Sequence, residues 1–246
     1  MPIRHYTIKN QNAVFNESET STIPNLWNFD NDYKHIVINA GFHGNEKSSV
    51  WALSLLTEEI VRCNDSWAKY IKSNAIIDII PIACPWNFDN FSRKNINGID
   101  CCFDFVGLLS SESKAIKSFI EKISSRCIAV IDSHNNPSDK CRTCFFEQRS
   151  TDKFFMIQNR LCAQLSAALF DDWKQFFPNT EAPFLHMVSG KLKTSFSWFF
   201  AQKGMYGLTV ETPCNFEGGP RCVSNVCKLT KDIVCNLIIS FIGIYF

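Results

Sequence analysis

Short apolar runs rich in β-branched residues recur along the chain, each closed by polar or turn-forming positions. They are Ile36-Val37-Ile38, Ala75-Ile76-Ile77-Asp78-Ile79-Ile80-Pro81, Ile128-Ala129-Val130-Ile131 and Leu208-Thr209-Val210. Runs of this length and composition read as buried strands. Between and after them lie stretches of helical period, at roughly 47–62, 111–124, 153–169 and 221–240. Strands alternating with helices predict an α/β protein, a three-layer α/β/α arrangement around a mixed, mostly parallel twisted sheet. Residues 16–32 read as a polar loop. The apolar end from Ile233 to Phe246, interrupted by Asn236, reads as a final buried helix or strand. It is shorter than the ~20 apolar residues a membrane span takes. Without repeats or low-complexity linkers, residues 1–246 are expected to form one domain.

The polar residues that follow these runs carry the candidate chemistry. After the first run comes His43-Gly44-Asn45-Glu46, and the third run continues into Asp132-Ser133-His134. The fourth ends at Glu211-Thr212-Pro213, and the second leads into a polar loop that carries Arg93. Open parallel sheets bind ligands beyond the carboxyl ends of their strands, so one crevice is expected to collect His43, Glu46, Arg93, His134 and Glu211. Two imidazoles and a carboxylate form a zinc ligand set, and catalytic zinc takes three protein ligands plus a water. His43, Glu46 and His134 are therefore the candidate ligands for one Zn2+ per chain. Asp132, two residues before His134, shares its strand face and either orients a ligand or simply ends the strand.

Composition narrows the partners. Lys and Arg total 25 against 24 Asp and Glu, a net charge of +1 that gives no reason to expect nucleic acid or an anionic membrane. The first residues lack the apolar core of a secretion signal. With twelve cysteines in such a chain, reduced thiols and a cytoplasmic location are expected. Cys141-Arg142-Thr143-Cys144 is read as ordinary thiols, because Cys222 and Cys227 make a poor second half for a structural zinc site. Most of the 22 phenylalanines are expected in the core.

In this order and spacing the motifs resemble those of the zinc carboxypeptidase family. The match runs through His43-Gly44-Asn45-Glu46, Arg93 ahead of Asn97-Gly98-Ile99-Asp100, Asp132-Ser133-His134 and Val210-Glu211-Thr212. The length and the Ala40-to-Ser49 run look most like the small murein peptide amidase or succinylglutamate desuccinylase-like branch. The resemblance implies hydrolysis of an amide bond in a small peptide or N-acyl amino acid. Glu211 would act as general base toward a zinc-activated water, and Arg93 would bind substrate and polarise its carbonyl. Two departures stand out. Cys102 and Phe103 occupy the positions of the family's Asn-Arg pair, which grips a terminal carboxylate. The family's proton-donating tyrosine is missing from Leu185–Gly190, where His186 offers a substitute. These departures leave two rivals: a catalytically inactive metal- or ligand-binding member of the fold, and a thiol enzyme built on Cys102 beside a histidine.

Overall fold

The computed structural model describes residues 3–9, 14–18, 33–136, 143–147, 184–188, 193–213 and 219–245. Side chains are described for 33–136, 193–212 and 224–244. Eight strands form one sheet: β1 (Ile3–Lys9), β2 (Val14–Ser18), β3 (Lys34–Ala40), β4 (Ala75–Ile80), β5 (Cys127–Asn136), β6 (Thr143–Glu147), β7 (Phe184–Val188) and β8 (Tyr206–Pro213). Their spatial order is β2-β1-β4-β3-β5-β8-β6-β7. From β1 to β8 every neighbouring pair is parallel. β2 joins β1 antiparallel, and β6 joins β8 antiparallel while pairing β7 in parallel. The sheet is thus mixed and mostly parallel, as the apolar runs predict.

The helices are α1 (Lys47–Arg62), α2 (Ser66–Asn74), α3 (Pro85–Asn90), α4 (Ser111–Lys122), α5 (Phe196–Gln202) and α6 (Gly219–Tyr245), with a 3-10 turn at Cys101–Phe103. They cover both faces, which is why the central strands lack polar alternation. β4 is buried at every position. Strand periodicity sends Ile36, Ile38, Ile77, Ile79, Ala129, Ile131, Leu208 and Val210 to one core. There they meet Leu53, Leu56 and Ile60 of α1 and an apolar stripe of α6 from Val226 to Ile242. Val37, Ile80 and Val130 point the other way, onto Ile116, Phe119 and Ile120 of α4 and Phe196 and Phe200 of α5. Gly207 lets α5 lie flat on β8, since a Cβ there would overlap the Ser197 carbonyl.

Several expectations need adjusting. The helix read at 111–124 ends at Lys122, with Ile123 and Ser124 in the closing turn. The apolar end is helical and belongs to α6, which starts earlier than residue 221. β2 extends into the expected polar loop as far as Ser18; residues 19–32 and the helix expected at 153–169 lie outside the described residues. Among the described residues no helix is long and apolar enough to cross a membrane.

Candidate metal centre

The turn after β3 is pinned before it can carry chemistry. Asn87 of α3 donates through Nδ2 to the carbonyl oxygens of Phe42 (2.6 Å) and Arg93 (3.2 Å). The Gly44 amide donates to the Ser92 carbonyl at 2.7 Å. Gly44 is required by close approach, because a Cβ there would overlap the Asn87 backbone. The turn therefore presents His43 and Glu46 at the carboxyl end of β3, beside His134 on β5.

His43, Glu46 and His134 converge, with one ligand atom from each lying within 4.8 Å of the others. All three are buried. Glu46 answers both histidines: Oε1 lies 2.7 Å from His43 Nδ1, and Oε2 lies 2.7 Å from His134 Nδ1. Oε2 also accepts the Asn135 amide at 3.2 Å. The opposite ring nitrogens turn to two other carboxylates. His43 Nε2 is 3.2 Å from Asp100 Oδ1, and His134 Nε2 is 3.0 Å from Asp132 Oδ1. Carboxylates behind imidazole ligands fix ring orientation and strengthen the donor atom in front.

This donor set fits a zinc-class ion. Both Nδ1 atoms and a carboxylate face one small volume, and each imidazole keeps a carboxylate on its far side. Burial alone would depress the His43 imidazole, but the Asp100 and Glu46 carboxylates outweigh it and leave it raised. Burial likewise opposes the charged form of His134, yet Asp132 and Glu46 hold its imidazole well above its ordinary range. Burial pushes the Glu46 carboxyl up, and the His134 and His43 interactions more than reverse this, bringing it down to about 2.

Of the other expected residues, Glu211 and Arg93 lie beside this cluster. Glu211 sits on β8 directly beside His134 in register and is partly buried. Its carboxyl is pushed up to about 7, chiefly by burial; His134 pulls it down while Glu46 and Asp132 raise it further. Arg93 is more exposed, and its Nε donates to Asp100 Oδ2 at 2.9 Å, so Asp100 bridges Arg93 and His43. His186 lies on β7, two strands from Val210 in register, which is roughly 10 Å across the sheet. Arg142 and Arg149, the cations that follow His134 in the sequence and could replace the Asn-Arg pair, lie outside the described residues, as does Cys141.

Cys102 is buried against the same histidine, with Sγ 3.7 Å from His134 Nε2 and 3.5 Å from Asp132 Oδ2. Burial, followed by the Asp132 charge, pushes the thiol up from its ordinary value, so it is held as a thiol rather than a nucleophilic thiolate. Phe103 packs against the α4–α5 core. Two supports escape a reading of single motifs. Asp100 belongs to the quoted Asn-Gly-Ile-Asp run, but its double role needs the fold. Behind His134, Asn135 accepts the Ser49 amide at 3.0 Å and donates to Thr212 Oγ1 at 2.8 Å. Thr212 in turn accepts from Thr230 and donates to the His134 carbonyl. The only sequence signal for this chain is that polar residues continue past the ends of the apolar runs.

The chain is similar to several solved structures. One is a metallo-carboxypeptidase from Burkholderia cenocepacia (TM-score 0.67, 15% identity, covering 87% of this chain and 58% of that one). Another is a metallo-carboxypeptidase from Pseudomonas aeruginosa in complex with (2-guanidinoethylmercapto)succinic acid (TM-score 0.67, 15% identity, 85% of this chain and 58% of that one). A third is bovine thrombin-activatable fibrinolysis inhibitor in complex with tick carboxypeptidase inhibitor (TM-score 0.66, 14% identity, 85% of this chain and 83% of that one). The chain spans less than three-fifths of the length of the two bacterial proteins. No family profile and no curated protein sequence matches it. At these identities the likeness defines the fold: an α/β/α protein of the metallo-carboxypeptidase type, with a His/Glu/His group able to hold a metal.

Proposed function

We propose that residues 1–246 form one zinc-dependent amidohydrolase domain of the zinc carboxypeptidase family, nearest in layout to its small murein peptide amidase or succinylglutamate desuccinylase-like branch. The observation that carries this is the convergence of His43, Glu46 and His134 beside a carboxylate, Glu211, with an affinity for protons suited to neutral pH. His43, Glu46 and His134 would hold one Zn2+, whose chemistry when bound is Lewis acidity and the activation of water. Glu211 takes a proton from the attacking water and hands it to the leaving amine, the paired task of a general base and acid. Arg93 donates to the substrate carbonyl oxygen as negative charge gathers there. Asp100 and Asp132 hold the two imidazoles from behind. His186 is assigned a supporting contact to substrate. The substrate class is a small peptide or N-acyl amino acid, and the free thiols among the described residues suit a cytoplasmic setting.

A non-catalytic, metal-binding member of the fold is the second reading. The observation that favours it is Cys102, buried on His134 at a position where the family has half of its carboxylate clamp. Metal analysis and turnover separate the two. The purified chain is expected to lose about one equivalent of zinc on His134→Ala, and to hydrolyse members of a panel of short peptides and N-acyl amino acids. Unchanged zinc content in the variant removes His134 from the ligand set. Zinc loss with no turnover on any substrate supports the non-catalytic reading.

A further inference from the structure

A second knot of ligating side chains lies apart from the three proposed zinc ligands. Cys84 precedes α3, Cys101 opens the 3-10 turn and Glu112 lies in the first turn of α4. All three are buried, and one ligand atom from each lies within 4.8 Å of the others. Tetrahedral zinc with Zn–S bonds of about 2.3 Å places neighbouring ligand atoms about 3.8 Å apart. A contraction of at most about 1 Å would therefore close the group around an ion.

Each residue has an ordinary explanation when taken singly. Buried thiols pack as small apolar groups, and a glutamate is favoured in the first turn of a helix. Together they are harder to explain. Among the described residues the Glu112 carboxylate has no cationic partner. It accepts from the Ser111 hydroxyl at 3.1 Å and from Asn95 Nδ2 at 3.5 Å, with two thiols beside it. A buried carboxylate with so little compensation is uncommon. Burial, followed by the nearness of Cys101 and then Glu112, holds the Cys84 thiol well above its ordinary value. A cation would relieve that crowding, with release of the thiol protons.

We propose that Cys84, Cys101 and Glu112 form a second, structural binding site for a thiophilic divalent cation of the zinc class. Two sulfurs select such an ion over magnesium or calcium. Its work would be to tie the turn after β4, the 3-10 turn and α4 into one unit. Cys101 lies between Asp100 and Cys102, so anchoring it also fixes Asp100 behind His43 and Cys102 against His134. The site adds a second ion to the one expected at His43, Glu46 and His134, and it stands whether or not the chain is an enzyme.

Cobalt titration of the reduced, metal-free whole chain tests it. The proposed ligands of the first site offer only nitrogen and oxygen donors, so thiolate-to-cobalt charge-transfer absorption reports an ion held by cysteine, and the variants identify which cysteines hold it. Expected are about two bound Co2+ ions per chain, with the thiolate band saturating at one. A Cys84→Ser/Cys101→Ser double variant should lose the band and one ion. His134→Ala should keep the band and lose the other ion. Cys102→Ser should keep the band, and Glu112→Gln should weaken its cobalt affinity at least tenfold without removing either thiol. A wild-type chain that binds cobalt with no thiolate band overturns the proposal. So does a band that disappears in Cys102→Ser but survives the double variant, which would place the ion against Asp132 and His134. A Cys84–Cys101 disulfide found by mass spectrometry in the chain purified without reductant would also overturn it, making the pair a redox couple.

Discussion

Glu211 shows how its surroundings can suit one side chain to a proposed task. An ordinary surface glutamate is ionised at neutral pH and too weak a base to be useful there. Burial at the end of β8, with Glu46 and Asp132 nearby, pushes Glu211 up to about 7. Glu211→Gln removes the base and leaves every proposed ligand in place, so zinc content should be unchanged while turnover falls about a hundredfold or more. The sign of the pH dependence follows from the same group. A base works deprotonated, so wild-type turnover should rise with pH and fall as pH drops through the Glu211 value. A bound cation draws that value down, which puts the limb at or below about 7. A rate profile of the zinc-loaded enzyme checks this; turnover that increases on acidification would mean that Glu211 is not the base.

At the scale of elements, what was legible in the sequence depended on how local the signal is. The central strands β4, β3, β5 and β8 show as apolar runs because helices cover both of their faces. α1 and α4 show as amphipathic stretches because each buries one stripe. His43, Glu46 and His134 could be placed near strand ends for the same reason, whereas Cys84, Cys101 and Glu112 come together only in the fold. β1, β2, β6 and β7, the outer two strands on each side of the sheet, were not legible, since no long β-branched apolar run marks them as it marks the central four. The short helices α2, α3 and α5 have too few turns to show a period. At the site, a motif reveals a residue type but not its neighbours. Arg93 was expected to reach a substrate, and the fold shows it bound first to Asp100. Cys102 read as a lost clamp, and the fold shows it filling space against His134. The Asn135–Thr212–Thr230 chain joins β5, β8 and α6 through contacts more than 15 residues apart, which no short motif encodes.

For the whole molecule, the lack of charge at Cys102 and Phe103 bears on what the proposed crevice would accept. Cys102 is buried and Phe103 packs into a core, so neither offers a charge to an incoming carboxylate. An arginine–carboxylate contact stabilises by roughly 1.5–3 kcal/mol, which is about tenfold to a hundredfold in selectivity. Paired substrates that differ only in a free or amidated terminus should therefore be hydrolysed at similar rates, or the amide faster. A free acid preferred tens of times over would reveal a cation such as Arg142 or Arg149 in the crevice. The Asp100 bridge carries a different kind of consequence. One carboxylate serves both His43, a proposed ligand, and Arg93, the proposed contact to substrate. When Arg93 turns to a carbonyl oxygen, Asp100 is left to His43 alone, and His43 becomes the stronger donor. Metal and substrate are then thermodynamically linked, each tightening the other by the same factor. Zinc should leave for a chelator more slowly when a non-hydrolysable substrate mimic is bound, and Asp100→Asn should abolish that difference.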